Sequence, residues 1–387
     1  MTWGTITEEG VAAAEQLINV PLRRDRMQWI EEITVDSIRH FAWGMGDNNP
    51  LWLDRKYASQ SVHMDLVAPP CILYAVDGTV VAPKLPGVQW LYAGTSWTWF
   101  EPILLGDKFN VEARLKKQEL KSGRRFSKWV LQTGEINYFN QHGRMTGKAI
   151  ARCARTPRGE ALKKEKQSKS FKSTAPHSYS KKEIEEIENQ VLQEPRRGSE
   201  PLFWGDVSIG EMVPQVVRGP LGVIDIMAWY SGTQGATHYG GVHGDAIRYR
   251  RRHADYHLNK HTGAKESAGR GHLETATGRD VGMGGAYDVG PQRIAWAQHM
   301  MTNWIGDNGF LHTLNINVRK PNLVGDTIWW SGTVVEKDIV QGYGLINVEL
   351  KAVNQNGLLS ADGDASVVLP INEKESICFP LPELIVV

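Results

Sequence analysis

The feature that most constrains the fold is that the chain is written twice, at a spacing far longer than that of short solenoid repeats. Ile33 to Trp43 spaces its apolar residues as a helix and runs into Gly46-Asp47-Asn48-Asn49-Pro50-Leu51-Trp52. Leu221 to Trp229 repeats that helical pattern, opened by Gly219-Pro220 and running into Ser231 to His238. A second apolar helical segment follows in each half, Pro69 to Ala75 and Gly290 to Ala297, where proline suits a first turn that has no use for its missing N–H. Each half then opens a strand-rich stretch, with Pro102-Ile103-Leu104-Leu105-Gly106-Asp107 and Pro321-Asn322-Leu323-Val324-Gly325-Asp326. Gln141-His142-Gly143 and Gln355-Asn356-Gly357 punctuate these runs as hairpin turns do.

Three matches in the same order divide the 387 residues into a first unit at 1–154, a connecting segment at 155–200 and a second unit at 201–387, with an insertion at about 239–285. In the connecting segment, Arg155 to Ser180 is rich in Lys and Ser and poor in large apolar residues, which predicts a solvated tether; contact with CoA phosphates or an anionic surface is the alternative. A helix is expected from Lys181 to Glu194, with Ile184, Ile187 and Val191 on one stripe and Pro195 and Gly198 ending it. Lys plus Arg (44) nearly cancels Asp plus Glu (43), so no global basic field exists to drive nucleic-acid binding. Cys71, Cys153 and Cys378 are too scattered for a disulfide framework or a cysteine zinc site, which predicts reduced thiols and a cytoplasmic protein. No apolar run reaches the roughly 20 residues of a membrane span, and Met1 to Glu9 is too polar for a signal core, so neither export nor a membrane span is expected.

One helix followed by strands, twice over, predicts an α+β architecture in which an antiparallel sheet wraps a central apolar helix. The sequence resembles the MaoC-like hotdog family, the (R)-specific enoyl-CoA hydratases and acyl dehydratases, in a fused double form. The resemblance rests on Gly46-Asp47-Asn48-Asn49-Pro50-Leu51-Trp52-Leu53-Asp54 with Tyr57-Ala58 after it, and on the Leu-Leu-Gly-Asp and Leu-Val-Gly-Asp strand openings. It implies tandem hotdog domains forming a pseudo-dimer. It also implies a small-molecule acyl-CoA substrate, no cofactor beyond the CoA that is part of that substrate, and a motif Asp and His acting on water and on the α-carbon of the thioester. Hydration needs a base for water, an acid for the α-carbon and donors for the developing enolate oxygen. The last would be backbone N–H groups at a helix start, where Gly290 is better suited than Pro69-Pro70 because proline has no donor.

The sequence departs from the family pattern at the histidine, whose place is taken by Trp52. Aligning Gly232 with Gly46 sets Thr233 against Asp47 and His238 against Trp52, so neither half keeps both residues. The candidate catalytic residues are therefore Asp47, His238, Asp288 and His243, with Asn49, Trp52, Gly290, Gln292 and Arg293 as candidates for substrate contact. Asp288, expected to face the Asp47 loop, would give a carboxylate pair in which one pKa rises; otherwise it is a helix cap. Asp47 reads equally as a turn former. His238 reads also as a structural or exposed loop residue, and His243 beside Asp245 is the weaker histidine. The insertion carries Arg248, Arg250, Arg251 and Arg252 among several histidines; its spacing fits no zinc site, and no metal is expected. Those arginines would hold phosphates or form a charged exposed helix face. Trp97, Trp99, Trp329 and Trp330 would line a large apolar pocket for a bulky acyl group. The expected activity is hydration or dehydration of an acyl-CoA, by a homo-oligomer, since symmetric pairing of chains is common; the rival is a non-catalytic acyl-CoA-binding subunit that stabilises an active hotdog partner, or another thioester or lyase reaction on the same fold.

Overall fold

The computed structural model describes residues 4–22, 28–123, 126–157, 177–233, 244–252, 257–259, 262–266 and 268–384. The first half contributes strands β1 (Gln89–Trp99), β2 (Asn110–Lys121), β3 (Trp129–Phe139) and β4 (Met145–Thr156). The second contributes β5 (Met212–Arg218), a small pair β6 (His257–Leu258) and β7 (Lys265–Glu266), and then β8 (Phe310–Val318), β9 (Ile328–Val340), β10 (Tyr343–Asn354) and β11 (Leu359–Leu369). All but β6 and β7 join one sheet in the order β2-β3-β4-β1-β8-β11-β10-β9-β5. The two half-sheets meet where β1 runs antiparallel to β8, with Trp97 opposite Leu314. Helices in chain order are α1 (Glu8–Glu15), α2 (Val35–Met45), α3 (Pro50–Leu53), α4 (Arg55–Ala58), α5 (Leu73–Val76), α6 (Lys181–Leu192), α7 (Val223–Thr233), α8 (Gly244–Arg252), α9 (Thr275–Asp280) and α10 (Gly290–Ile305). This is the tandem hotdog arrangement: an α+β fold in which a continuous antiparallel sheet curls over the central helices.

The repeat survives at the level of single hydrogen bonds. In the first half the Asp107 carboxylate accepts from Leu104 N at 2.8 Å and from Gln141 Nε2 at 3.2 Å. In the second, Asp326 accepts from Leu323 N at 2.8 Å and from Gln355 Nε2 at 2.6 Å. The preceding Gly106 and Gly325 have φ of 90° and 98°, a backbone that side-chain-bearing residues avoid. Asn140 and Asn354 close the two hairpins, each side-chain oxygen accepting two main-chain N–H groups, from His142 and Arg144 and from Asn356 and Leu358. Sequence reasoning placed these turns correctly because Asn and Gly chemistry is local.

The same repeat corrects the alignment of the two motif loops. Ile33 exchanges main-chain hydrogen bonds with Gly106 and Asp107, and Leu221 does so with Gly325 and Asp326, so Ile33 and Leu221 are counterparts, 188 residues apart. Where α2 crosses α7, a Cβ on Gly44 would fall 2.8 Å from Ala228 O, and one on Gly232 would fall 2.6 Å from His40 O. That reciprocal contact again spaces counterparts by 188 and makes Gly232 the partner of Gly44, not of Gly46. The glycine is selected by helix–helix approach, whereas Gly46 is a left-handed cap with φ 78°. Along the sequence, Gly235 and Gly240 then fall opposite Asp47 and Trp52, and His238 falls opposite Pro50. Further on, the Ala68 N to Ile103 O and Asp288 N to Asn322 O bonds make Ala68 and Asp288 counterparts, 220 apart. The rise from 188 to 220 means that the insertion adds a net 32 residues to the second half.

The two central helices differ. In the first half Pro70–Ile72 form a 3-10 turn and α5 adds four residues before Asp77 turns the chain outward, its carboxylate accepting from Thr79 N at 2.9 Å. In the second half α10 runs sixteen residues, with every side chain from Gln292 to Ile305 buried. Each large apolar residue on it, such as Trp296 or Met300, contributes about 1.5–3 kcal/mol by leaving water. Trp97 and Trp99 stack at 5.3 Å in the core beside Tyr74 and Tyr138. Trp330 is likewise buried. These tryptophans fill space rather than enclose the large pocket that their number suggested; the cavity beside Trp99 measures only about 50 Å³. On α6, only Ile187 of the expected stripe is buried, and Val191 is exposed.

Candidate active site

Each residue of the first motif has a local use. Gly46 ends α2, and Asp47 N bonds to Ala42 O at 2.8 Å. The Asp47 Oδ1 atom accepts from Asn49 N at 2.8 Å, the Asn49 side chain accepts from Leu51 N at 3.0 Å, and Pro50 starts α3. That one turn of helix carries Trp52 back over Asp47, so that Trp52 Nε1 donates to Asp47 Oδ2 at 2.8 Å. The turn-forming reading of Asp47 is thus realised, and the carboxylate has a second set of partners as well.

Those partners come from the other half. His299 of α10 brings Nδ1 to 3.1 Å from Asp47 Oδ2, off the line of a good hydrogen bond. The opposite nitrogen, Nε2, is in hydrogen-bond contact with Glu194 Oε1. Glu194 also accepts from Asn303 Nδ2 at 2.7 Å and from Arg218 at 2.7 Å, and Arg218 donates onward to Gly46 O at 3.1 Å. Asp47, His299, Glu194 and Arg218 therefore form a buried quartet of alternating sign. It is drawn from α2's end, the segment after α6, β5 and α10. Burial alone would push Asp47 up, but the His299 charge and the Asn49 and Trp52 hydrogen bonds bring it below the usual carboxylate value. Glu194 is likewise penalised by burial, yet His299 and Arg218 take it down to about 2. His299 would lose its proton through burial, but Asp47 and Glu194 raise its pKa above the ordinary value against the opposing Arg218 charge. The ionised quartet is self-consistent.

Asp288 does not join it. Its carboxylate pairs with the Arg293 guanidinium, Nε to Oδ2 at 2.7 Å, and accepts from Asn322 N at 3.1 Å and Asn322 Nδ2 at 2.8 Å. Arg293 also donates to the carbonyls of Lys320 and Ser360, both at 2.6 Å, and is 1% exposed. Gln292 is buried too, donating to Asp225 O at 3.0 Å. The expectation that the Asp47 loop faces the start of α10 is corrected for a geometric reason. Asp47 meets the helix at His299, nine residues and roughly 14 Å along the axis from Gly290. Gly290 instead lies against the Tyr92 ring of β1, where a Cβ would come within 2.8 Å. His238 and His243 lie outside the described residues. Of the arginines in the insertion, Arg248 pairs with Asp245 on α8, and Arg251 and Arg252 are exposed.

Next to Trp52 lies a cavity of about 50 Å³ lined by Asn49, Leu51, Trp52, Trp99 and Phe310, with His63, Glu101, Thr302 and Asp307 among its polar residues. Two of the expected substrate-contact residues, Asn49 and Trp52, thus reach it. The Asp307 Oδ2 atom accepts from Tyr57 OH at 2.6 Å. Sequence reasoning missed His299, Glu194, Arg218 and Asp307. One signal was present: on an otherwise apolar helix, Gln298–Thr302 and His299–Asn303 recur at four-residue spacing, a polar stripe inside a core. Among the described residues, no His, Cys, Asp and Glu cluster is placed to hold a metal ion, and no helix is long and apolar enough to cross a membrane.

Comparison with known proteins places this motif in context. Residues 24–146 match the family described as FAS1-like, dehydratase domain region. A UPF0336 protein of Streptomyces griseus is 25% identical over 92 residues, 22% of this chain and 61% of its own length. A UPF0336 protein of Parafrankia sp. is 33% identical over 87 residues, 21% of this chain and 58% of its own. The chain thus spans about three fifths of the curated relatives it matches. Among solved structures, a MaoC-like dehydratase superposes with TM-score 0.60 at 15% identity, covering 93% of this chain and 100% of that one. A MaoC-like dehydratase from Phytophthora capsici gives 0.53 at 10% identity, over 92% and 98%. Residues 24–146 are thus similar to the FAS1-like dehydratase domain region, within a chain that has the double-hotdog fold of the MaoC-like dehydratases.

Proposed function

We propose that the chain hydrates a short 2-enoyl thioester to the 3-hydroxyacyl thioester, or runs that reaction in reverse, in the cavity walled by its first motif. The observation that carries this reading is that Asn49, Leu51 and Trp52, all inside the dehydratase-like region, line a cavity, and that Trp52 on that lining donates to the Asp47 carboxylate. Asp47, kept ionised by His299, is the base available to a water at the motif loop. Trp52 has no exchangeable role as acid or base and acts by positioning, since its indole N–H holds the Asp47 carboxylate in place. The cavity's small size favours a short acyl group over a bulky one. No cofactor beyond the substrate's own CoA is required.

A second reading, an acyl-thioester-binding subunit without turnover, is favoured by one specific observation. Both nitrogens of His299 face carboxylates, and the position of the motif histidine holds an indole, so a proton has few routes outward. Purified protein incubated with crotonyl-CoA and two bulkier enoyl-CoAs separates the readings by loss of the enoyl absorbance. Hydration predicts turnover that is fastest with crotonyl-CoA and falls by at least about 100-fold in Asp47→Asn, the usual scale for removing a general base. Saturable binding with no turnover supports the second reading. Absence of both overturns each.

A further inference from the structure

Asp307 sits just past the end of α10, after Gly306 turns the chain with φ 68°. Its main-chain N–H bonds to Gly198 O at 2.9 Å, which fixes the backbone, and Tyr57 OH occupies Oδ2. The other carboxylate oxygen, Oδ1, is buried and has no hydrogen-bond partner, while the residue as a whole is 3% exposed. A buried acceptor left empty is costly, and in a native fold it calls for an explanation. The cavity supplies one, because Asp307 lines it together with Leu51, Trp52, Val67, Ile103 and Phe310.

We infer that this cavity binds a small neutral group carrying a hydroxyl, which donates to Asp307 Oδ1 while its carbon skeleton rests on the Trp52 and Phe310 walls. The size follows from the volume. About 50 Å³ is several times the 10–15 Å³ that one water needs on this measure, so roughly four non-hydrogen atoms fit. The polarity follows from the lining, in which apolar side chains predominate and the open position is an acceptor. A neutral donor suits it better than an ammonium, because a cavity walled by Leu51, Trp52, Val67, Ile103 and Phe310 offers a cation little to replace its water. His63, whose pKa burial lowers, stands beside the Asp307 main chain. The inference concerns binding alone and does not depend on turnover at Asp47.

The probes are propan-1-ol and 1-chloropropane, which match in shape but differ in the O–H, with propan-1-amine as the charged arm. Methyl resonances of Leu51, Ile103, Ile305 and Leu311 in the full chain report on the cavity. Saturable shifts at those methyls are expected with propan-1-ol, with an apparent Kd at least five-fold tighter than for either other probe. Asp307→Leu is expected to erase the preference for the alcohol. Should that variant not fold, the wild-type comparison decides by itself. Equal affinity for alcohol and chloride, tighter binding of the amine, or no saturable shift at these methyls would each overturn the inference, whatever the crotonyl-CoA assay returns.

Discussion

Two buried carboxylates lie just past helix ends, Asp47 after α2 and Asp307 after α10, and their surroundings are opposite. Asp47, in the motif, has Asn49 N on one oxygen and Trp52 Nε1 on the other, with His299 alongside. Asp307, outside any motif, has Tyr57 on one oxygen and nothing on the other. The first is held ionised by a compensating charge; burial pushes the second toward its neutral form. The contrast teaches that a motif residue and an open binding position need not coincide. Asp47 is held in place and ionised by partners from this chain, whereas an acceptor left idle beside a cavity is where a ligand gains most.

The contrast can be broken first at His299, which serves only the Asp47 side. His299→Ala strands two buried carboxylates, and breaking a buried pair in this way costs about 3–5 kcal/mol. Urea denaturation measures it; a loss under about 1 kcal/mol would show that the quartet is not holding the seam. A second, smaller effect is in pH. Because the folded pKa of His299 is raised, its stabilisation is complete below the ordinary value of 6.5 and disappears as pH rises through the folded value. Glu194 works in the other direction, contributing fully above its ordinary 4.5 and losing that contribution as pH falls towards about 2. The stability difference between wild type and His299→Gln should therefore be widest between about pH 4.5 and 6.5 and shrink on both sides. A difference that grows above pH 7 would contradict the ionised quartet. The smallest effect is expected at Asp307→Asn, which keeps the shape and an acceptor for Tyr57. It should change unfolding free energy by less than about 1 kcal/mol, because the idle oxygen contributes no bond to lose. A loss as large as that at His299 would make the two carboxylates alike.

Reading the sequence found the repeat, the α+β class, the helix from Gly290 onward and the hairpins at Gln141-His142-Gly143 and Gln355-Asn356-Gly357, since these rest on periodicity and on short-range turn chemistry. It also reached Asp47, Asn49 and Trp52, which stand together because three residues of turn and one turn of helix bring them together. It placed Asp47 opposite the wrong end of α10 and assigned Asp288 a catalytic alternative, because nothing local reveals that Arg293, five residues on, and Asn322 would claim that carboxylate. The Gly232 alignment slipped by two residues for a related reason. A glycine chosen by a helix crossing and a glycine chosen by a cap are written with the same letter.

What the sequence determined by itself were the elements: apolar spacing that makes helices and strands, prolines and glycines that start and stop them, and a duplication that sets the halves side by side. Which charges met was decided only in three dimensions. Asp47, Glu194, Arg218 and His299 are separated by up to 252 residues and share no pattern, yet burial forces each to find a partner of opposite sign. Low-dielectric packing selects those partners by proximity in the folded state, and proximity across a seam is not encoded in any window of neighbouring residues.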